Sequence, residues 1–297
     1  MRISIIIPTY NRADLLVKTV RSAFAQTRPP DEIIVVDDGS TDHTRRVVAA
    51  YGQTVRYHFQ ENAHLGAARN AGQRLATGDA LLFLDSDDLL MPLALERLEA
   101  RLDSQANVVL AYCRSAYIDA NDNAMAAPFE HPHCEGDVWE RLVMGNFIRT
   151  AGTALIRRSA LEAVGAWTTR ERLRSNEDWE MWLRLADIGP FSFVDDALLA
   201  YRLHASMSSD EPAMYHWALV VLEMQIERHA SAPERLTVLA AAYDSFYTGM
   251  ASRWKEALRK DWHARDIRGV CRRVLYLLRL RERNGRNQRL LAGFRHS

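Results

Sequence analysis

Short apolar runs alternate along this chain with stretches whose apolar positions recur every three or four residues. Ile3–Ile7 is rich in isoleucine and ends at Pro8, which predicts a buried strand. Arg12–Ala25 carries Leu15, Leu16, Val20, Ala23 and Phe24 at helical spacing. Glu32–Val36 reads as a second strand, and Ser40, Thr41 and Asp42 offer cap chemistry for a helix through Tyr51. Val55–Phe59 is expected to be a third strand, Ala67–Ala76 a helix closed by Gly78, and Ala80–Leu84 a fourth strand. Buried strands alternating with helices imply a parallel α/β sheet. Ligands on such sheets bind beyond the carboxyl ends of the strands. The segments to inspect are therefore Pro8–Asn11, Asp37–Ser40 and Asp85–Asp88. Beyond Met207 the pattern turns helical, over Pro212–His229 and Pro233–Trp262. A last amphipathic stretch sets Ile267, Val270, Cys271, Val274, Leu275 and Leu278 against Arg265, Arg268, Arg272 and Arg279.

Composition narrows the class. With 48% hydrophobic and 26% charged residues among 297, the chain is an ordinary globular one, not a fibrous or disordered one. Cys113, Cys134 and Cys271 are odd in number and far apart. That pattern suits a reducing compartment and disfavours a zinc ribbon. No run reaches the ~18 apolar residues of a membrane span, and no charged-then-apolar leader precedes the first strand. The expectation is a cytoplasmic protein. The net charge of zero conceals an asymmetry: residues 251–297 hold 14 Lys/Arg against 4 Asp/Glu. A basic amphipathic helix around Ile267–Leu280 fits peripheral contact with an anionic membrane, or packing with a solvated arginine face. Few aromatics are interleaved there for base stacking, so nucleic acid is not expected as a partner.

The strand ends carry the chemistry. No glycine-rich phosphate loop follows the first strand, which removes nicotinamide oxidoreductases and P-loop ATPases. Tyr10 could lie against a base, and a carboxylate after the second strand could accept from a base N–H or a ribose hydroxyl. The Asp37–Ser40 segment also reads as an Asx turn leading into a capped helix. After the fourth strand come Asp85, Ser86, Asp87 and Asp88. Three carboxylates in four positions repel one another unless they share a cation, and Mg²⁺ or Mn²⁺ takes carboxylate oxygen while leaving sites for phosphates. The plain alternative is a solvated acidic loop that caps a helix starting near Pro92. His131-Pro132-His133-Cys134 reads as a surface loop and not as a soft-metal site.

Six ordered motifs together resemble family 2 glycosyltransferases. They are Ile5–Arg12, Ile34–Asp42, Gly66–Gly72, Phe83–Asp88, Asn176–Ala186 and Tyr201–Ser206, within about residues 1–209. The resemblance implies a GT-A fold, a Rossmann-like mostly parallel sheet flanked by helices, with residues 210–297 as a helical C-terminal extension. It implies a nucleotide-diphosphate sugar donor, a divalent metal, inversion at the anomeric carbon, and a glycan or lipid-linked acceptor. Carried over residue by residue, Pro8, Thr9, Tyr10 and Asp38 would hold base and ribose, with Arg69 nearby. Asp85 would face ribose or sugar beside Ser86, Asp87 would face the metal, and the role of Asp88 stays open. Arg202 and His204 in Tyr-Arg-x-His would close over the diphosphate, with His204 completing the metal site. Asp178 would be the base that takes the acceptor's proton, with Glu177 as its orienting neighbour. Alternatives are an inactive nucleotide-sugar-binding module and a sugar-nucleotide nucleotidylyltransferase, although the latter would want glycines where Pro8–Arg12 has none.

Overall fold

The computed structural model describes residues 1–127, 133–169, 173, 176–203 and 211–263, with positions 282, 284 and 285, and side chains except those of 211–216 and 261. His204 and the stretch around Ile267–Leu280 lie outside the described residues. One compact unit comprises the described residues within Met1–Arg170 and Glu177–Met207. A second comprises those within Glu171–Asn176 and Ser208–Ser297.

The first unit is built on one mixed sheet. Its strands are β1 (Ile3–Thr9), β2 (Glu32–Asp38), β3 (Arg56–Gln60), β4 (Ala80–Phe83), β5 (Leu89–Leu90), β6 (Leu110–Ile118), β7 (Ala124–Met125), β8 (Ala154–Arg157) and β9 (Phe191–Arg202). They lie in the order β3-β2-β1-β4-β8-β6-β9-β5, with β7 on the edge of β6. The half β3-β2-β1-β4 is wholly parallel. Around it lie helices α1 (Ala13–Phe24), α2 (Thr44–Ala49), α3 (His64–Leu75), α4 (Ala94–Asp103), α5 (Trp139–Val143), α6 (Arg158–Val164) and α7 (Glu177–Ala186). The second unit contains α8 (Glu211–Arg228) and α9 (Pro233–His263), which pack on each other. Among the described residues no helix is long and apolar enough to cross a membrane.

Burial on both faces explains the uninterrupted apolar runs. Every residue of β1 is buried, as a strand covered by helices on both sides must be. Ile3, Ile5 and Ile7 join Leu16, Val20 and Leu95 in one core cluster. Pro8 does not end the strand, contrary to the sequence reading. β1 continues to Thr9, with Pro8 opposite Val36. Its missing N–H costs little because pairing to β4 stops at Ile6 and Phe83. β2 likewise extends past Val36, so Asp37 and Asp38 are strand residues opposite Phe59 and Gln60. Gly78 does not close α3, whose last helical residue is Leu75. It lets the chain press on β1: its N–H donates to Ser4 Oγ at 2.8 Å, and a Cβ there would lie 2.5 Å from that oxygen.

α3 sits close on the parallel half because two of its residues lack side chains. A Cβ on Gly72 would lie 2.2 Å from Ile6 Cγ2, and one on Gly66 2.1 Å from the Thr168 carbonyl oxygen. Gly72→Ala should therefore destabilise the protein by about 1–3 kcal/mol, the usual cost of overpacking. A lowered urea midpoint with an unchanged m-value is the expected result.

Candidate functional site

A cleft of about 600 Å³ opens at the carboxyl ends of the parallel strands. One wall is Pro8, Thr9 and Tyr10 at the end of β1, with Asp38 at the end of β2. Asn62, His64 and Leu65 add the entrance of α3, and Asp85–Asp88 are joined by Tyr201 and Arg202 from the end of β9. Of the sequence-predicted residues, Pro8, Thr9, Tyr10, Asp38, Asp85, Ser86, Asp87 and Arg202 thus share one cavity. Arg69, Glu177 and Asp178 do not line it, and His204 is outside the described residues.

The turn after β2 is stiff. Asp37 accepts from the Ser40 N–H at 2.8 Å and the Tyr57 hydroxyl at 2.6 Å, so its carboxylate closes an Asx turn and ties it to β3. Asp38 Oδ1 accepts from Gln60 Nε2 at 2.7 Å and the Ala63 N–H at 3.0 Å, which fixes the carboxylate at the cleft wall. Gly39 takes φ +86°, and a Cβ there would lie 2.9 Å from the Asn62 nitrogen. Thr9 Oγ1 is buried beside the cleft with no hydrogen-bond partner among the described residues.

The acidic loop is built by charge compensation. Asp85 uses both oxygens, accepting from Arg69 Nη2 at 3.0 Å and from Thr150 Oγ1 at 2.8 Å. Asp87 is ion-paired with Arg12. Asp88 Oδ1 accepts from the Arg202 backbone N–H at 2.9 Å, and Thr19 Oγ1 holds the Asp88 carbonyl at 2.9 Å. Asp88 Oδ2 is buried without a hydrogen-bond partner among the described residues. Burial, then the charges of Asp87 and Asp85, push the Asp88 carboxyl well above the ordinary carboxylate range. Arg202 is buried and spends its guanidinium within the protein, on the Asp87 carbonyl at 2.8 Å, the Asp119 carbonyl at 2.7 Å and the Asp122 carboxylate at 2.5 Å. It braces the loop from behind.

Asp178 reaches this network through α3 and α7. Arg69 lies over the Trp167 ring, 4.8 Å from its centroid. Asn70 brackets the Trp167 backbone, donating to its carbonyl at 2.9 Å and accepting from its N–H at 2.7 Å. α7 is pinned nearby: Trp179 Nε1 donates to the Leu142 carbonyl at 2.8 Å, and Arg184 holds Glu180, the Val164 carbonyl and the Ala166 carbonyl. Asp178 in the first turn of α7 accepts the Trp179 N–H at 2.7 Å. Its carboxyl is pushed up to about 7, first by burial, with Glu177 and Asp85 adding repulsion and Arg69 opposing them. An acid poised there can hold or release a proton near neutral pH.

The sequence reading missed several members of this site. Arg12, Thr150, Asn62, His64, Leu65 and Tyr201 belong to it through side-chain contact or cleft lining. Arg12 and Tyr201 stand within the motifs Ile5–Arg12 and Tyr201–Ser206 without having been singled out, and Asn62, His64, Leu65 and Thr150 lie outside all six motifs.

Carboxylate oxygens at Asp85, Asp87 and Asp88, one of them the unpartnered Asp88 Oδ2, are the hard donors that Mg²⁺ or Mn²⁺ takes. Among the described residues no three His, Cys, Asp or Glu side chains converge as a complete metal cage.

Known proteins place this geometry. The sequence model of glycosyl transferase family 2 matches residues 4–165. An uncharacterized glycosyltransferase of Nostoc sp. (strain PCC 7120) is 29% identical over 93% of this chain and 88% of its own length. Another from Rickettsia prowazekii is 29% identical over 70% of this chain, which spans 66% of that protein. Among solved structures, Staphylococcus aureus TarS 1-349 in complex with UDP aligns with TM-score 0.63 at 21% identity, over 84% of this chain and 72% of that one. The mannosyltransferase PcManGT from Pyrobaculum calidifontis, in complex with GDP-Man and Mn²⁺, aligns with TM-score 0.56 at 17% identity, over 95% and 86%. The family match takes in β1 to β4 and the whole acidic loop, more than half of the chain, and on that ground this protein belongs to glycosyl transferase family 2, with the GT-A fold of its structural neighbours.

Proposed function

We propose that this chain transfers a sugar, with inversion, from a nucleotide-diphosphate sugar to a hydroxyl acceptor in surface polysaccharide or glycolipid synthesis. The observation that carries the reading is the acidic loop lining a cleft at the ends of parallel strands, with Asp178 coupled to it through Arg69. Tyr10, half exposed at the rim, offers a face for the base, and the buried Thr9 hydroxyl and the fixed Asp38 carboxylate offer hydrogen bonds to base or ribose. Arg69 acts through Asp85, and Arg202 through the loop it braces. Solved neighbours are described with UDP and with GDP-Man, so a thermal-shift panel of UDP-, GDP- and dTDP-sugars tests which nucleotide binds.

Asp87, with His204, would hold Mg²⁺ or Mn²⁺, and phosphate oxygens of the donor would fill the remaining positions. Bound there, the ion supplies positive charge against the departing diphosphate. An inverting displacement asks one further thing of the protein, a group that takes the acceptor's proton, and Asp178 beside Glu177 fills that role. The basic excess of residues 251–297 supports peripheral contact with an anionic membrane carrying the acceptor. Flotation with anionic liposomes at low salt, reversed at high salt, is the matching result.

Asp87→Ala should abolish metal-dependent nucleotide binding with the fold retained, and EDTA should do the same to the unaltered protein, both read by calorimetry. Asp178→Asn should lower kcat by about two to four orders of magnitude with nucleotide affinity nearly retained. In the unaltered enzyme kcat should fall as pH drops through about 7, because the base must be deprotonated. Stability follows with the opposite benefit. A carboxyl raised in the folded state penalises folding increasingly from the unfolded value of about 4 up to about 7, and in full above that. Asp178→Asn should therefore raise the denaturation midpoint more at pH 8 than at pH 5.

A further inference from the structure

Asp85 and Asp87 each pair with an arginine side chain and Asp88 takes the backbone N–H of a third, and the three arginines differ in how firmly they are held. Arg69 serves Asp85, with a side chain 3% exposed that is also stacked on Trp167. Arg202 serves Asp88 through its backbone N–H, and its side chain is 1% exposed and tied to Asp119 and Asp122. Arg12 serves Asp87 with a side chain 42% exposed, and among the described residues Asp87 is its one partner. Withdrawing Arg69 or Arg202 would leave buried charge unpaired, at a large cost. Withdrawing Arg12 would return a guanidinium to water that already reaches half of it.

The backbone beneath Arg12 is fixed. Asn11 takes φ +51°, a left-handed conformation that asparagine tolerates better than most residues. Its side-chain oxygen accepts from the Thr41 N–H at 2.7 Å and the Asp42 N–H at 3.2 Å, and its own N–H donates to Ser40 Oγ at 2.9 Å. The Ala13 N–H donates to Asp42 at 3.1 Å, and the Arg12 carbonyl accepts the Leu16 N–H at 2.9 Å, opening α1. The main chain at residues 11–13 is thus clamped while the long side chain stands in the cleft.

From this asymmetry we infer that Arg12 is the exchangeable counter-ion of Asp87, which competes with the incoming divalent cation and sets its affinity for the cleft. The inference rests on the reading of Asp87 as the ion's ligand. No other arginine of the loop can exchange with an ion arriving from solvent without opening the core. A guanidinium displaced from Asp87 remains in the cleft, where the donor's diphosphate would meet it.

The test is a Mn²⁺ titration of the full chain without nucleotide, with unbound Mn²⁺ measured by electron paramagnetic resonance. Arg12→Gln should bind Mn²⁺ about three- to tenfold more tightly than the unaltered protein, the range for losing one half-exposed charged competitor. Arg12→Lys keeps the charge and should stay near the unaltered value. Asp87→Asn should lose the ion in either background. If Asp87→Asn loses Mn²⁺ but Arg12→Gln binds no more tightly, the competition is refuted and the metal ligand stands. Equal tightening by Arg12→Lys and Arg12→Gln refutes it too, since shape and not charge would then be responsible. If Asp87→Asn binds Mn²⁺ like the unaltered protein, the ion is not at Asp87, and both the metal assignment and the inference fall.

Discussion

Negative charge packed into the loop after β4 constrains everything around it. Asp85, Asp87 and Asp88 stand within four residues, two of them buried, where repulsion is far less screened than in water. The fold responds by bringing arginines from three separate elements: Arg12 before α1, Arg69 in α3 and Arg202 at the end of β9. Each comes from a different part of the chain. The loop therefore acts as a knot that ties the parallel half of the sheet to the mixed half. Compensation is incomplete at Asp88, whose second oxygen has no hydrogen-bond partner and whose carboxyl is pushed upward.

α3 transmits the constraint to the start of α7. The helix carries Gly66, Arg69, Asn70 and Gly72 among its buried residues, with Arg69 three positions from each glycine. The two glycines permit contact with Thr168 and Ile6 that any side chain would block. That closeness lets Arg69 bond Asp85 while lying over Trp167, whose backbone Asn70 brackets. The same guanidinium opposes the upward push on Asp178. One buried arginine thus links the acidic loop to the carboxyl of α7.

The carboxyl of Asp178 is the most strongly perturbed group near the start of α7. A carboxyl held near neutral pH by burial is costly to the fold, because ionising it forfeits solvation. Its surroundings are correspondingly rigid, with Trp179 and Arg184 anchoring α7 to neighbouring carbonyls.

Much of this was legible in one dimension. Apolar runs located β1, β2 and β4 because strands buried on both faces admit few polar residues, and the chemistry had to follow their ends. Eight of the positions singled out from the sequence line one cleft for the same reason: each lies at or just beyond a strand end. Tertiary structure alone decided the partners. No local pattern says that Arg12 pairs with a residue 75 positions away, that Thr150 holds Asp85, or that Asp37 is spent on Tyr57 while Asp38 faces the cleft. Nor could spacing reveal that β1 runs through Pro8, since a proline is harmless only where the neighbouring strand has already stopped pairing. Hydrophobic periodicity records how deeply each element is buried. It does not record which distant charges must meet, because that depends on how the packed elements turn their side chains toward one another.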